Sequence, residues 1–283
     1  GAGNDKAFGT NAKATELPLH VCCDTDNSIM LNEILKYKHV YINRKDCDGN
    51  TALHRAVVKD QYACVLALCN SNGARFLFNK KGYMPLHLAS KHNAIQCFKI
   101  LLNRSTTSIL NRTNSRNETP LFVACKYNSV AAASMLLKEG ANMHIFNNEF
   151  KTPLYIAIER GFKDIVELLL VRGVWKNRHL LRDSPAADRL SHMLPMRRNN
   201  LILSVSHMKQ RLPLYIAARN GDFIILKLLL EHNFDVNKMD AMRCETALFA
   251  VVKYLLYKED ENHGNNVIEC FELLMSYGAD INL

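Results

Sequence analysis

The side chains best equipped for chemistry in this chain are its histidines, acids and cysteines, and their arrangement argues against using them for it. His20, His54 and His87 each stand fourth in a recurring segment, and Phe122, Tyr155, Tyr215 and Phe249 take that place in later copies. A metal ligand or general base cannot be exchanged for Phe, so this series reads as packing rather than catalysis. Asp46 and Asp48 lie beside Gly49 and read as turn residues, not as an acid pair. No G-x-S-x-G, H-E-x-x-H, P-loop or G-x-G-x-x-G segment occurs, and nothing pairs a nucleophile with a base. The sequence therefore assigns no catalytic residue, no metal site and no cofactor, and the segment reads as a non-enzyme. The nine cysteines are irregularly spaced, without C-x-x-C, and several fall on apolar helix positions. That pattern, with no signal peptide in view, reads as a reduced intracellular protein of the cytoplasm, with the nucleus as the alternative. Sequons at Asn103, Asn111 and Asn117 are then chance matches.

Charge is the remaining chemical resource. The chain of 283 residues has 36 Lys and Arg against 27 Asp and Glu, a net charge of +9. Hydrophobic residues make up 48%, enough for a sizeable core, and no apolar run reaches membrane-spanning length. A basic balance implies an acidic partner only where the charge is clustered, so the elements that position it must be found first.

Those elements repeat. Related cores start at Leu17 (LPLHVCC), Thr51 (TALHRAV), Met84 (MPLHLAS), Thr119 (TPLFVAC), Thr152 (TPLYIAI), Leu212 (LPLYIAA) and Thr246 (TALFAVV). The successive intervals are 34, 33, 35, 33, 60 and 34 residues. In one copy, Thr152 suits a helix N-cap and Pro153 the first helical position, where its missing N–H costs nothing. Leu154, Ala157 and Ile158 share a face, and Gly161 can end the helix at positive φ. A second helix follows, with Phe162, Ile165, Val166 and Leu169 as its apolar stripe. One such helix pair cannot bury both faces alone, so units must stack.

A period near 33 with a T-P-L-H-x-A core resembles the ankyrin repeat, and seven copies in register carry the resemblance over 17–283 apart from one segment. The resemblance implies an all-α solenoid of stacked helix-turn-helix units with short β-hairpin fingers between them. It also implies that the core histidine makes hydrogen bonds between repeats. The boundaries expected are a tail over 1–16 opened by a Gly-Ala-Gly cloning remnant or internal start, five repeats over 17–173, a basic segment over 174–211 and two repeats over 212–283. The basic segment holds eight Lys and Arg against two Asp, Arg197 and Arg198 among them. It reads as a shortened, degenerate repeat, with a basic insertion as the alternative. The chain ends on Gly278-Ala279-Asp280, the family's repeat ending, so the last copy is a cap or a cut at a repeat boundary.

Family geometry places a partner in a groove lined by fingertips and first-helix ends. Carried over by position, that lining contains Lys59, Lys91, His92, Lys126, Tyr127, Arg160, Arg219, Lys253 and Tyr254 from helix ends. Finger residues Tyr83, Arg116, Phe150 and Lys151 join it, with Arg197 and Arg198 from the basic segment. A cation in a last turn complements the helix dipole without any partner, but the aromatics do not follow from that. Cations interleaved with aromatics suit a peptide carrying Asp, Glu or phosphate. The expected function is thus a scaffold, a monomeric domain, gripping an acidic or phosphorylated segment of another protein. Two alternatives stand beside it: a nucleotide or inositol phosphate site in the regulatory domain of a channel, and the substrate-recruiting arm of a larger enzyme. Nucleic acid is not expected, because no recognised motif accompanies the charge.

Overall fold

The computed structural model describes residues 17–37, 39–71, 73–176, 212–240, 244–257 and 264–283. The chain divides into two compact units, Gly1–Arg116 and Asn117–Leu283. The first contains α1 (Pro18–Asp24), α2 (Ser28–Leu35), α3 (Ala52–Val58), α4 (Tyr62–Asn70), α5 (Pro85–His92), α6 (Ile95–Asn103) and the short α7 (Thr107–Leu110). The second contains α8 (Pro120–Lys126), α9 (Val130–Lys138), α10 (Pro153–Glu159), α11 (Lys163–Lys176), α12 (Pro213–Asn220), α13 (Phe223–Glu231), α14 (Ala247–Tyr257) and α15 (Gly264–Ser276).

Each unit is two rows of helices. In the first, α1 packs on α3 and α3 on α5, while α2 packs on α4 and α4 on α6. In the second, α8, α10, α12 and α14 form one row and α9, α11, α13 and α15 the other. Ala56, Ala89, Ala124, Ala157 and Ala217, the small residue of each core, are fully buried. Their size lets neighbouring first helices approach. Each of these alanines also accepts a backbone bond that closes its helix, as Gln61 N does onto Ala56 O at 2.9 Å and Phe162 N onto Ala157 O at 3.0 Å. The closure needs a left-handed residue, and Asp26, Asp60, Asn93, Asn128, Gly161 and Gly221 supply it at φ between 52° and 71°. In the second helix of the quoted copy, Ile165, Val166, Leu169 and Leu170 are buried and Phe162 is half-buried. In its first helix Ile156 is buried and Leu154 only half-buried, since a helix packed on both sides needs more than one apolar stripe.

Fingers form, but as tight turns without strands among the described residues. Asp46 N donates to Asn50 O at 2.8 Å, Asn79 N to Tyr83 O at 2.9 Å and Asn147 N to Lys151 O at 3.0 Å. A second bond in each turn, such as Gly49 N onto Asp46 O at 3.0 Å, returns to the same first residue, so no ladder extends along the arms. In the first unit the fingertips stack backbone on backbone, with Lys80 N donating to Asp48 O at 3.0 Å. Gly49 sits at φ 76°, and a Cβ there would meet Lys80 N at 2.7 Å, so only glycine fits.

Residues 177–211, most of the basic segment with Arg197 and Arg198, lie outside the described residues. The helices on either side of it are described. α10 packs directly on α12 and α11 on α13. Asn220 Nδ2 donates to Ile158 O and Glu159 O, each at 3.5 Å. The pairs before and after the segment are direct neighbours.

Candidate functional site

The core histidines are structural. His54 Nδ1 accepts from Thr51 N at 3.1 Å, which fixes its tautomer and leaves Nε2 to donate to Tyr83 O at 3.0 Å in the next repeat. His20 Nε2 reaches Asn50 O at 2.9 Å in the same way. Burial is the main cause that pushes the His54 pKa down to about 4, so the ring is neutral at pH 7. Tyr215 keeps the inter-repeat bond with different chemistry. Its hydroxyl donates to Glu245 Oε2 at 2.5 Å, and Glu245, like Tyr83, immediately precedes the next core.

Asp46 and Asp48 are turn residues, as their spacing indicates. Asp46 Oδ1 accepts from Asp48 N and Asn50 N, and its Oδ2 takes Arg55 Nη2 at 2.8 Å. Burial pushes its carboxyl up, but the Arg55 guanidinium and the two N–H groups outweigh that and hold it below the usual range.

The cations at first-helix ends fall into two groups. Lys126 pairs with Glu118 at 2.7 Å, and Lys253 with Glu245 at 2.9 Å. In both, a glutamate just before the core meets a lysine eight residues on, across the first helix. Lys151 pairs with Glu149 at 3.0 Å and Glu159 at 2.9 Å, and Lys59 lies 3.5 Å from Asp24. These lysines are largely neutralised within the protein. Arg160 and Arg219 belong to the second group. Both are exposed, and neither has an ion-pair partner among the described residues.

The remaining predicted residues scatter. Tyr83 is only 8% exposed, with its ring edge-on to His87, so it supports a finger and offers no ring to a partner. Tyr127 and His92 are exposed at helix ends, Lys91 is half-buried, and Arg116 is exposed on its finger. Phe150 is half-buried against Phe146 with ring centroids 5.8 Å apart. It holds φ 59°, a costly conformation for a bulky residue, at the place where the fingers of the first unit carry Gly49 and Gly82.

The structure gathers part of this set in the second unit. Glu159, Arg219, Asn220 and Tyr254 line a cavity of ≈ 430 Å³ at the ends of α10, α12 and α14. A larger hollow of ≈ 630 Å³ in the first unit is lined by Val40, Tyr41, Ile42, Asn43, Arg44 and Gly73 and contains none of the predicted residues. The smaller one is the better candidate because it joins an unpaired arginine, an aromatic ring and an amide. Sequence reading missed the pairing of Glu118, Glu159 and Glu245 with lysines. Its signal was a spacing of eight between the two residue types, which carries meaning only once a finger turn and one helix bring the two ends together.

These features define a stacked helix-turn-helix repeat protein whose polar side chains hold one repeat to the next within each unit. Family models described as "Ankyrin repeats (3 copies)" match residues 4–80 and 86–179, and one described as "Ankyrin repeat" matches 209–238. The chain belongs to the ankyrin-repeat family. Among curated relatives, human "Transient receptor potential cation channel subfamily A member 1" is 27% identical over 70% of this chain and 16% of its own length. Mouse "Inversin" is 23% identical over 81% of this chain and 20% of its own length. The chain thus corresponds to a fifth or less of either relative. The solved ankyrin repeat domain of Bcl-3 has a TM-score of 0.65 at 20% identity, covering 83% of this chain and 93% of that one. That of human ASB11 has a TM-score of 0.61 at 18% identity, covering 90% and 98%. Ankyrin repeats are protein–protein interaction modules, and protein binding is the function this fold carries. No helix among the described residues is long and apolar enough to cross a membrane.

Proposed function

We propose that the chain binds an acidic or phosphorylated segment of a partner protein at the first-helix ends of its second unit. One observation supports this reading above the rest. Of the cations at those ends, Lys126 and Lys253 are already paired to glutamates, whereas Arg160 and Arg219 are exposed and unpaired among the described residues. Charged groups with no internal partner are the ones left to meet an external anion. A guanidinium presents a planar fork that matches carboxylate or phosphate in two parallel bonds. Arg219 also shares its cavity with Tyr254, so an aromatic contact lies beside the charge. Arginine and tyrosine are the residues most often found at binding hot spots.

The test is fluorescence anisotropy with Asp/Glu-rich and phosphoserine peptides, for the unmodified chain and for Arg160→Glu with Arg219→Glu. The double charge reversal is expected to weaken binding at least roughly tenfold, and binding should fall as salt rises. Lys126→Gln, which removes a paired lysine, should leave peptide affinity within about twofold. Peptide binding that survives the arginine reversals, or follows Lys126 instead, rejects the reading.

A further inference from the structure

Cations of the first unit are paired at a first-helix end but not in the connections that run from second helices to fingers. At the end of α3, Arg55 meets Asp24 at 2.9 Å and Asp46 at 2.8 Å, and Lys59 lies 3.5 Å from Asp24. The connections have no such acids to use. Residues 61–116 hold eight Lys and Arg, and all 27 Asp and Glu of the chain lie outside them. Residues 36–45, the connection before the second core, contain no acid either. Named bonds join three connections into one layer. Asn43 Nδ2 donates to Gly73 O at 2.7 Å, and its Oδ1 accepts from Arg75 N at 3.0 Å. Lys45 Nζ donates to Phe78 O at 2.7 Å, and the Arg112 guanidinium lies 4.7 Å from the centre of the Phe78 ring. Arg104 Nη2 donates to Asn70 Oδ1 at 2.9 Å.

This layer carries Arg44, Lys45, Arg75, Arg104 and Arg112. All are exposed, and none has an ion-pair partner among the described residues. Like charges gathered in this way repel one another, and no carboxylate among the described residues offsets them. Apolar surface lies in the same layer. Tyr41 is 80% exposed and Tyr37 is 73% exposed. The hollow of ≈ 630 Å³ opens here, and it sets the Arg44 side chain with Val40, Tyr41 and Ile42. Its size is that of a site for a small molecule or a lipid headgroup.

We infer that this basic layer docks the first unit onto an anionic membrane surface, with Tyr41 in the headgroup region and the arginines on lipid phosphates and carboxylates. The inference is independent of the acidic-segment reading, which concerns other residues in the second unit. Charge complementarity makes the partner an anion, and the exposed rings make it a lipid. Tyrosine settles at membrane–water boundaries because its body is apolar and its hydroxyl stays wet. Each Lys or Arg near an anionic lipid surface strengthens binding roughly fivefold. A guanidinium also meets a phosphate through two parallel bonds. A nucleic-acid strand fits less well. Its bases stack on successive rings along a basic track, whereas Tyr37 and Tyr41 lie on one connection and the cations on three.

The test is flotation of the whole chain with vesicles of phosphatidylcholine alone and of phosphatidylcholine with roughly one-third phosphatidylserine. Binding should appear on the anionic vesicles and fall at least roughly tenfold as salt rises to about 0.5 M. Arg44→Glu with Arg75→Glu should weaken it at least roughly tenfold. Tyr41→Ala should weaken it by about threefold or more at unchanged charge. Arg160→Glu with Arg219→Glu should leave vesicle binding within about twofold, which separates this inference from the acidic-segment reading. Circular dichroism checks that each variant is folded, and Lys45→Gln with Arg112→Gln replaces the first pair if that pair unfolds. No binding to the anionic vesicles overturns the inference. So does binding that survives the arginine reversals, which would assign it to other cations such as those of 174–211. Binding indifferent to Tyr41→Ala also overturns it, since charge alone would then account for the effect. A single-stranded oligonucleotide or a Glu-rich peptide that binds more tightly than the vesicles, with the same dependence on Arg44 and Arg75, would give the layer to that partner and reject the membrane.

Discussion

Protonating His54 would cost the protein a bond, because Nδ1 would lose its acceptor role toward Thr51 N while the ring stays buried. Its folded pKa, about 4, lies below the ordinary histidine value of 6.5, with burial as the main cause. The unfolded chain therefore binds the proton first. The His54 contribution to stability is complete above about pH 6.5 and is lost progressively as pH falls toward the folded value. A depression of this size corresponds to about 3 kcal/mol at most. Chemical denaturation at pH 7 and pH 4.5 should show a loss of stability that is clearly smaller in His54→Phe. Equal pH slopes in the two proteins would contradict the assignment. The ion pairs give a second prediction at this scale. Glu118 has 1% of its side chain exposed and Glu159 has 31%. Removing Glu118 strands a lysine in a mostly buried place, so Glu118→Ala should cost about 1–3 kcal/mol by urea titration. Glu159→Ala, at a more solvated pair, should cost about 1 kcal/mol or less. The histidine role was legible in the sequence, because its replacement by Phe and Tyr excluded ligand chemistry. The glutamate–lysine pairing was not, because residues eight apart meet only after a specific turn and helix.

Among the elements, helix starts and stops could be read residue by residue. Thr119 and Thr152 cap as their type predicts, accepting from Phe122 N at 3.1 Å and Tyr155 N at 3.2 Å. Gly161 and Gly221 end their helices at positive φ. The fingers were legible as turns, but the strands expected of them do not form among the described residues, since the backbone bonds of each turn stay within five residues. The sixty-residue interval was the hardest to read, because a residue count cannot say whether extra residues join a stack or leave it. Direct packing of α10 on α12 leads to a specific expectation. Replacing residues 177–211 with a polar linker as long as the connection over 139–152 should preserve the packing of α10 on α12. It should also change the melting temperature by no more than about 3 °C. A cooperative loss of α12 and α13, seen by hydrogen exchange, would show instead that the segment is part of the stack.

At the scale of the whole molecule, the cysteines report how much of the chain is closed to solvent. Seven of the nine are buried, and only Cys47 and Cys244 are exposed. Burial is the main cause that pushes the thiols of Cys64 and Cys270 up to about 11, and it raises Cys23, Cys97 and Cys125 as well. A thiol held protonated inside a packed core does not attack disulfide reagents. Titration with an aromatic disulfide should therefore modify two thiols per folded chain and nine after denaturation. Rapid native modification of five or more would mean that the helix pairs open far more readily than their packing indicates.

The sequence by itself determined the repeat, its period, the helix caps, the small residue of each core and the structural role of the histidines. All of these follow from local rules, acting within one helix pair and repeated seven times. It also placed the cations at the helix ends. Only the tertiary structure decided which of those cations are paired within the protein. An ion pair depends on distance across a turn, and among the described residues that distance left Arg160 and Arg219 unpaired while it neutralised Lys126, Lys151 and Lys253. The structure likewise showed α10 and α12 as neighbours. Adjacency belongs to packing in space, and a residue count along a periodic sequence does not state which copies meet.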